Sequence, residues 1–195
     1  FVRLLAGTVG CEFNAAKFAN AIGVDLKTIQ SWLNILEASY IVFKLQPYYN
    51  NIGKRIVKSQ KVYFYDVGLA SYLLSIENTT QLSVHPLRGN LFENMVVAEF
   101  VKRKLNMGRA PKLYFYRDAS QKEVDLIEET AYNSFAAYEI KSAKRYSDEF
   151  AKGLNYLTQL YPEGCKERYV LYDGESEITS EKVSYLNFRT ILKSE

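Results

Sequence analysis

The chain has 195 residues, 48% apolar and 24% charged. These values exclude a disordered or fibrous protein. No run of about 18 or more apolar residues occurs, so no membrane-spanning helix is expected and a cytoplasmic setting is. The 25 Lys+Arg against 22 Asp+Glu leave a net charge of +3. That excludes a wholly basic, histone-like chain but says nothing of where the charges sit.

Two cysteines, Cys11 and Cys165, and one histidine, His85, narrow the chemistry further. They are too few for a disulfide scaffold or for the usual zinc centres. The cysteines read as small buried residues and His85 as an ordinary linker residue. The chain starts at Phe1, with neither an initiator methionine nor a signal-peptide pattern. The expectation is a piece of a longer cytoplasmic protein.

Division near Pro86 gives two expected domains, 1–85 and 86–195. The first has eight Lys/Arg and five Asp/Glu, the second seventeen of each, so the whole positive excess lies in the first. Within it, Gly53 to Lys61 carries Lys54, Arg55, Lys58 and Lys61 and no acid. Such a loop suits phosphate binding; the plain alternative is a solvated turn.

In chain order, Asn14 to Ala21 reads as a short helix with Ala15, Phe18, Ala19 and Ile22 on one face. Gly23 breaks it. Asp25 then caps a second helix, whose Leu26, Ile29, Leu33 and Leu36 recur at helical spacing. Its other face shows Lys27, Thr28, Gln30, Ser31 and Asn34, side chains suited to a major groove. Ile41 to Leu45 and Lys61 to Tyr65 read as strands, with the basic loop between them. Two helices about a turn, then a hairpin with a basic tip, predict a winged helix. Its loop residues Lys54, Arg55 and Lys58 would grip phosphates. A protein-docking winged helix fits the same pattern. Gly53-Lys54 is not the end of an ATP-binding P-loop: Tyr48 stands where the earlier glycine is needed, and Arg55 replaces the magnesium-binding Ser/Thr.

A short helix is expected from Val67 to Leu74, then a polar linker to residue 85. Pro86 opens a long amphipathic helix, Arg88 to Leu105, with Glu93 beside its apolar stripe. Strands follow at Lys112 to Arg117, Glu123 to Ile127 and Phe135 to Ile140. A helix from Tyr146 to Tyr161 and a strand from Arg168 to Tyr172 complete an α/β pattern around a mixed sheet.

The acids carry the chemistry. Asp125 sits inside an apolar strand, with Ile127 on its face and Val124 and Leu126 on the other. Glu139 and Lys141 flank Ile140 and point to one side. Two carboxylates and a lysine on neighbouring strands can converge, and carboxylates so placed can hold a divalent cation, Mg²⁺ or Mn²⁺, for phosphodiester hydrolysis. Lys141 would assist the attacking water. Each pattern alone also fits a strand-end salt-bridge cluster; the ordered set Glu93, Asp125, Glu139 and Lys141 is more specific.

Several segments resemble a known family. They are Gly89-Asn90-Leu91-Phe92-Glu93-Asn94, Tyr114-Phe115-Tyr116-Arg117-Asp118, Glu123-Val124-Asp125-Leu126 and Tyr138-Glu139-Ile140-Lys141-Ser142. They look like the C-terminal domain of prokaryotic AAA-type ATPases, a domain of unknown function similar to the PD-(D/E)XK nuclease superfamily. Trp32 to Tyr40, Gly53-Lys54-Arg55 and Tyr65 to Ala70 resemble the same family's winged-helix segment. The resemblance implies an α+β chain overall, a winged helix followed by a restriction-endonuclease-like mixed-sheet α/β domain. It puts Asp125, Glu139 and Lys141 on the superfamily's catalytic motif and Glu93 on its helix-borne acid, with Asp125, Glu139 and Glu93 as metal ligands. Val124 stands where the superfamily's naming proline would be. It also implies a preceding P-loop ATPase domain outside this chain, the only place where ATP would bind. The expected function is therefore a DNA-binding, metal-dependent nuclease region of such an ATPase. The alternatives are an inactive DNA- or protein-docking module under ATPase control, or an interaction module with an aromatic surface.

Overall fold

The computed structural model describes residues 1–49 and 60–193. The candidate phosphate-binding residues Lys54, Arg55 and Lys58 lie outside the described residues. The chain divides into two compact units. The first is Phe1–Leu45 with Lys58–Ala98, and the second is Gln46–Val57 with Glu99–Glu195. The first unit thus runs past the boundary expected at residue 86. Leu91 belongs to its core, and Asn94 is hydrogen-bonded to Phe64 within it.

The first unit holds α1 (Val2–Ala6), α2 (Ala15–Ile22), α3 (Leu26–Ala38), β1 (Val42–Pro47), β2 (Lys61–Phe64), α4 (Val67–Leu73), α5 (Thr79–Val84) and the first part of α6 (Arg88–Asn106). Local chemistry sets these boundaries. The Asn14 side chain accepts from the Lys17 N–H at 3.0 Å and starts α2. Gly23 ends it at φ 80°, a left-handed conformation that glycine adopts without cost. The Asp25 carboxylate accepts from the Thr28 N–H at 2.9 Å and the Thr28 hydroxyl at 2.8 Å, which starts α3. Of the predicted apolar stripes, Phe18, Ala19, Ile29 and Leu33 are buried with Leu5, Val42, Val62 and Phe64 in one core, Ala15, Ile22 and Leu36 pack partly buried against it, and Leu26, in the first turn of α3, is exposed instead. β1 and β2 pair antiparallel, from Val42 opposite Phe64 to Leu45 opposite Lys61.

Two helices of the first unit escape the sequence reading. α1 is only five residues long, too short for its periodicity to register. α5 falls in the expected linker; Asn78 caps it, but none of its residues is buried, so no hydrophobic pattern announces it.

The second unit is a mixed α/β layer. Its strands are the end of β1, β3 (Leu113–Arg117), β4 (Glu123–Ala131), β5 (Ser134–Lys141), β6 (Cys165–Tyr172) and β7 (Ser184–Asn187). They lie in that order. Gln46 pairs parallel with Tyr114; β3/β4 and β4/β5 are antiparallel; β5/β6 and β6/β7 are parallel. A 3₁₀ turn (Asp148–Ala151) leads into α7 (Lys152–Leu160), and α8 (Phe188–Lys193) follows β7. The helix expected from Tyr146 therefore begins later, where Ser147 caps the turn. The strand β7 and helix α8 are additions to the expected set.

Leu154 and Leu157 of α7 pack on Val124, Ile127, Phe135, Ala137 and Val170. Burying each such large side chain stabilises the unit by about 1.5–3 kcal/mol. The presence of both Val124 and Ile127 in this core departs from strict alternation. Tyr114 opposes Ile127 while Tyr116 opposes Val124, so β4 carries one more residue than β3 over this stretch. That bulge turns the strand between Val124 and Ile127, where Asp125 lies. Among the described residues no helix is long and apolar enough to cross a membrane.

Candidate functional site

The bulge on β4 and the end of β5 bring three of the candidate residues together. Pairing of β4 with β5 runs inward to Leu126 opposite Tyr138. One step further, the Asp125 side chain joins the strands: its Oδ2 accepts the Ile140 N–H at 2.8 Å. The Lys141 Nζ lies 2.6 Å from Glu139 Oε1 and 3.7 Å from Asp125 Oδ2. One ammonium therefore faces both carboxylates. Asp125 and Glu139 are buried, while the Lys141 side chain is 35% exposed and forms the open rim.

The surroundings fix these groups. Glu139 and Lys141 share the parity of Phe135 and Ala137, whose side chains are in the core beneath α7. Gly153 of α7 sits against them. A Cβ there would stand 2.5 Å from the Glu123 carbonyl oxygen and 3.3 Å from Glu139 Oε2, so only glycine permits this approach. On the opposite parity, the Tyr138 hydroxyl donates to Glu128 Oε2 at 3.0 Å, and Lys104 pairs with the same carboxylate. Burial, with the neighbouring Glu128 charge, holds the Tyr138 hydroxyl neutral far above its ordinary range. At the β3–β4 turn the Tyr156 hydroxyl donates to Asp118 at 2.8 Å and lowers that carboxyl's pKa.

Glu93 has a different set of contacts. Its Oε1 accepts from Lys61 Nζ at 3.1 Å and from the Tyr63 hydroxyl at 2.6 Å. Asn90 donates to the Val9 carbonyl at 3.0 Å, and Asn94 exchanges two hydrogen bonds with the backbone of Phe64. The polar side chains at these three positions of the helix thus tie it to β2 and the turn at Gly10. Among the described residues, no group of three or more His, Cys, Asp and Glu side chains is arranged to hold a metal ion. Cys11 is exposed; Cys165 is buried, and that burial raises its thiol pKa, the mark of an inert thiol.

On α3 the candidate nucleic-acid face is open. Lys27, Gln30, Ser31 and Asn34 are exposed, and Thr28 is half-buried on the Asp25 cap. Lys44 of β1 donates to Asn34 Oδ1 at 3.1 Å and pairs with Glu37 at 2.7 Å. Gln30, Asn34, Lys44 and Gln60 border a cleft of about 350 Å³ floored by Leu33. Sequence reasoning missed Lys44 and Gln60 here, since a strand lysine and a loop glutamine have no signature. It missed Gly153 for the same reason.

Residues 1–80 match a family described as a domain of unknown function, DUF8612. Two curated relatives, the uncharacterized proteins Mb2031c of Mycobacterium bovis and Rv2008c of Mycobacterium tuberculosis, are each 33% identical over 139 residues. The aligned stretch is 71% of this chain, which spans about 30% of the length of those relatives. Among solved structures, a chain from a half-complex of Thermococcus gammatolerans McrB AAA+ hexamers with bound McrC aligns over 81% of this chain and 60% of that one. The identity is 12% and the TM-score 0.34. A second family, a domain of unknown function named DUF4143, matches residues 88–191, more than half of the sequence, and to that family the chain belongs.

Proposed function

We propose that the second unit is a metal-dependent phosphodiesterase of the PD-(D/E)XK nuclease type. The first unit, a winged helix, brings it to DNA. Both form the C-terminal region of a cytoplasmic AAA-type ATPase whose ATP-binding domain lies outside this chain. One observation carries the reading: a single ammonium, that of Lys141, faces the carboxylates of Asp125 and Glu139 at the bulged end of β4.

The donor set fits Mg²⁺ or Mn²⁺. Both cations take hard oxygen ligands, and Mg²⁺ is commonly held by one or two carboxylates, with water and substrate phosphate filling the rest. Asp125 and Glu139 supply those carboxylates, with Glu93 the further acid that the sequence pattern offers. When bound, the cation lowers the pKa of a coordinated water and neutralises charge on the phosphodiester. The Ile140 N–H fixes the Asp125 carboxylate through Oδ2. Lys141 orients the attacking water and offsets charge as the phosphorus gains its fifth ligand. In the first unit, two helices about Gly23 followed by the β1/β2 pair support the DNA-binding reading. Lys27, Thr28, Gln30, Ser31 and Asn34 would face the groove, and Lys54, Arg55 and Lys58 the phosphates.

A second reading is an inactive DNA- or protein-docking module controlled by the ATPase. It is favoured by the engagement of Glu93 with Lys61 and Tyr63. The two readings separate in one assay. The chain is incubated with supercoiled and linear DNA in Mg²⁺ or Mn²⁺, beside Asp125→Asn and Lys141→Ala. The nuclease reading expects metal-dependent cleavage in the wild type and a loss of about 100-fold or more in either variant. No cleavage, or equal cleavage by all three proteins, overturns it.

A further inference from the structure

The carboxyl ends of the three parallel strands carry a second group of side chains that the proposed reaction does not use. Lys141, Tyr172 and Asn187 occupy one rung across β5, β6 and β7. Just beyond that rung, Lys144 Nζ lies 2.7 Å from Asp173 Oδ2, and Arg189 lies 3.5 Å from Asp173 Oδ1. Two cations from different segments thus share one carboxylate. Arg189 is further braced over the Phe188 ring, 4.3 Å from its centroid. Both cationic side chains stay largely exposed, at 72% and 60%, while the Asp173 side chain is 17% exposed. Arg145 follows Lys144 and is also exposed. Of the nearby acids, Asp148 and Glu175 are exposed, while two others are committed to different groups. Glu177 accepts from the Asn187 N–H and the Thr190 hydroxyl, and Glu149 pairs with Lys152.

Tyr146 stands beside this group. It is 49% exposed, yet its ring rests edge-on against buried Tyr185 at 5.7 Å. A braced ring with an open face, next to fixed cations, suits an unpaired base beside its backbone phosphates. From β5 to β7 is two strand spacings, about 10 Å.

We propose that Lys144, Arg145 and Arg189, with Tyr146 as a stacking platform, form a track for a single-stranded polynucleotide leading away from Lys141. The inference rests on the phosphodiesterase reading, whose substrate it narrows to one with an unpaired flank. The track holds the strand through phosphates and one stacked base, so it binds without sequence preference. The groups are present whether or not a cation is bound, so binding does not need the metal.

That independence sets the test. A fluorescently labelled single-stranded DNA of about 20 nucleotides is titrated with the 195-residue chain in EDTA, where no hydrolysis occurs, across a salt series. Three neutralised phosphate contacts contribute about 2 to the slope of log K against log salt. The combined variant Lys144→Ala, Arg145→Ala, Arg189→Ala is expected to lose that much slope and about tenfold or more in affinity. Tyr146→Ala is expected to lose on the order of tenfold with the slope unchanged, and Tyr146→Phe to bind as the wild type does. Lys166→Ala, an exposed lysine at the other end of β6, is the control and is expected to change nothing. Circular dichroism checks that each variant is folded. Unchanged affinity and slope in the combined variant overturn the track, as does an equal loss from Lys166→Ala. Because no cleavage is read, a track that binds without any Mg²⁺-dependent hydrolysis leaves the phosphodiesterase reading alone at fault.

Discussion

Lys141 faces two carboxylates, and the Asp125 side chain spans two strands. Other single side chains bear stability rather than chemistry, and their effects are separable. Asn94 is fully buried and exchanges both its hydrogen bonds with the Phe64 backbone. Asn94→Ala leaves a buried N–H and a buried C=O without this partner. The expected cost is about 2–4 kcal/mol, read from chemical denaturation; a loss within experimental error would contradict it. Asp25 gives a pH signature. Its carboxyl is held below the ordinary value by the Thr28 N–H, then by the Thr28 hydroxyl. Its contribution to α3 is therefore full above the ordinary carboxyl pKa and is lost as pH falls through the lowered one. Asp25→Ala is expected to be the less stable protein near about pH 7, with the gap narrowing as pH falls below the ordinary carboxyl range. A gap that does not depend on pH would show that the cap is not electrostatic.

At the scale of elements, the bulge in β4 and the close approach of α7 shape the candidate site. Gly153→Ala would place a methyl 2.5 Å from the Glu123 carbonyl oxygen, so α7 must move off β4 and Glu139 must shift. The expected outcome is a loss of about 1–3 kcal/mol in stability with a larger loss of cleavage than of DNA binding. Equal effects on both would mean that α7 does not position the acids. This level is where the sequence was only partly legible. Alternation along β5 correctly paired Glu139 with Lys141, because that strand is regular and its neighbours keep register. Alternation along β4 put Val124 with Leu126, whereas the extra residue puts Val124 with Ile127 in the core. A bulge leaves no mark in the residues that form it. Helices with a buried stripe, α2 and α3, were legible from spacing and caps. The capped but unburied α5 was not, since periodicity reports burial rather than helicity.

At the scale of the whole molecule, the net charge of +3 resolves into a basic first part and a neutral second one. Phosphate contacts are proposed on the basic loop of the first part and at the strand ends of the second, and a cation on the acids of the second. DUF4143 membership covers the second part, and the chain spans about 30% of the length of its curated relatives. The role of Lys141 in the free site can be tested on this chain. If its ammonium balances the two acids, Lys141→Met leaves them facing each other and raises their demand for a cation. Mn²⁺ is then expected to stabilise Lys141→Met more than the wild type in thermal unfolding. Equal stabilisation would contradict that balance.

The most direct measurement is calorimetric titration of the chain with Mn²⁺ in the absence of nucleic acid, beside Asp125→Asn and Glu139→Gln. One Mn²⁺ is expected to bind per wild-type chain, with affinity lowered about tenfold or more in each variant. Binding of Mn²⁺ that neither substitution weakens would contradict a cation site on these two carboxylates, and so would no binding at all.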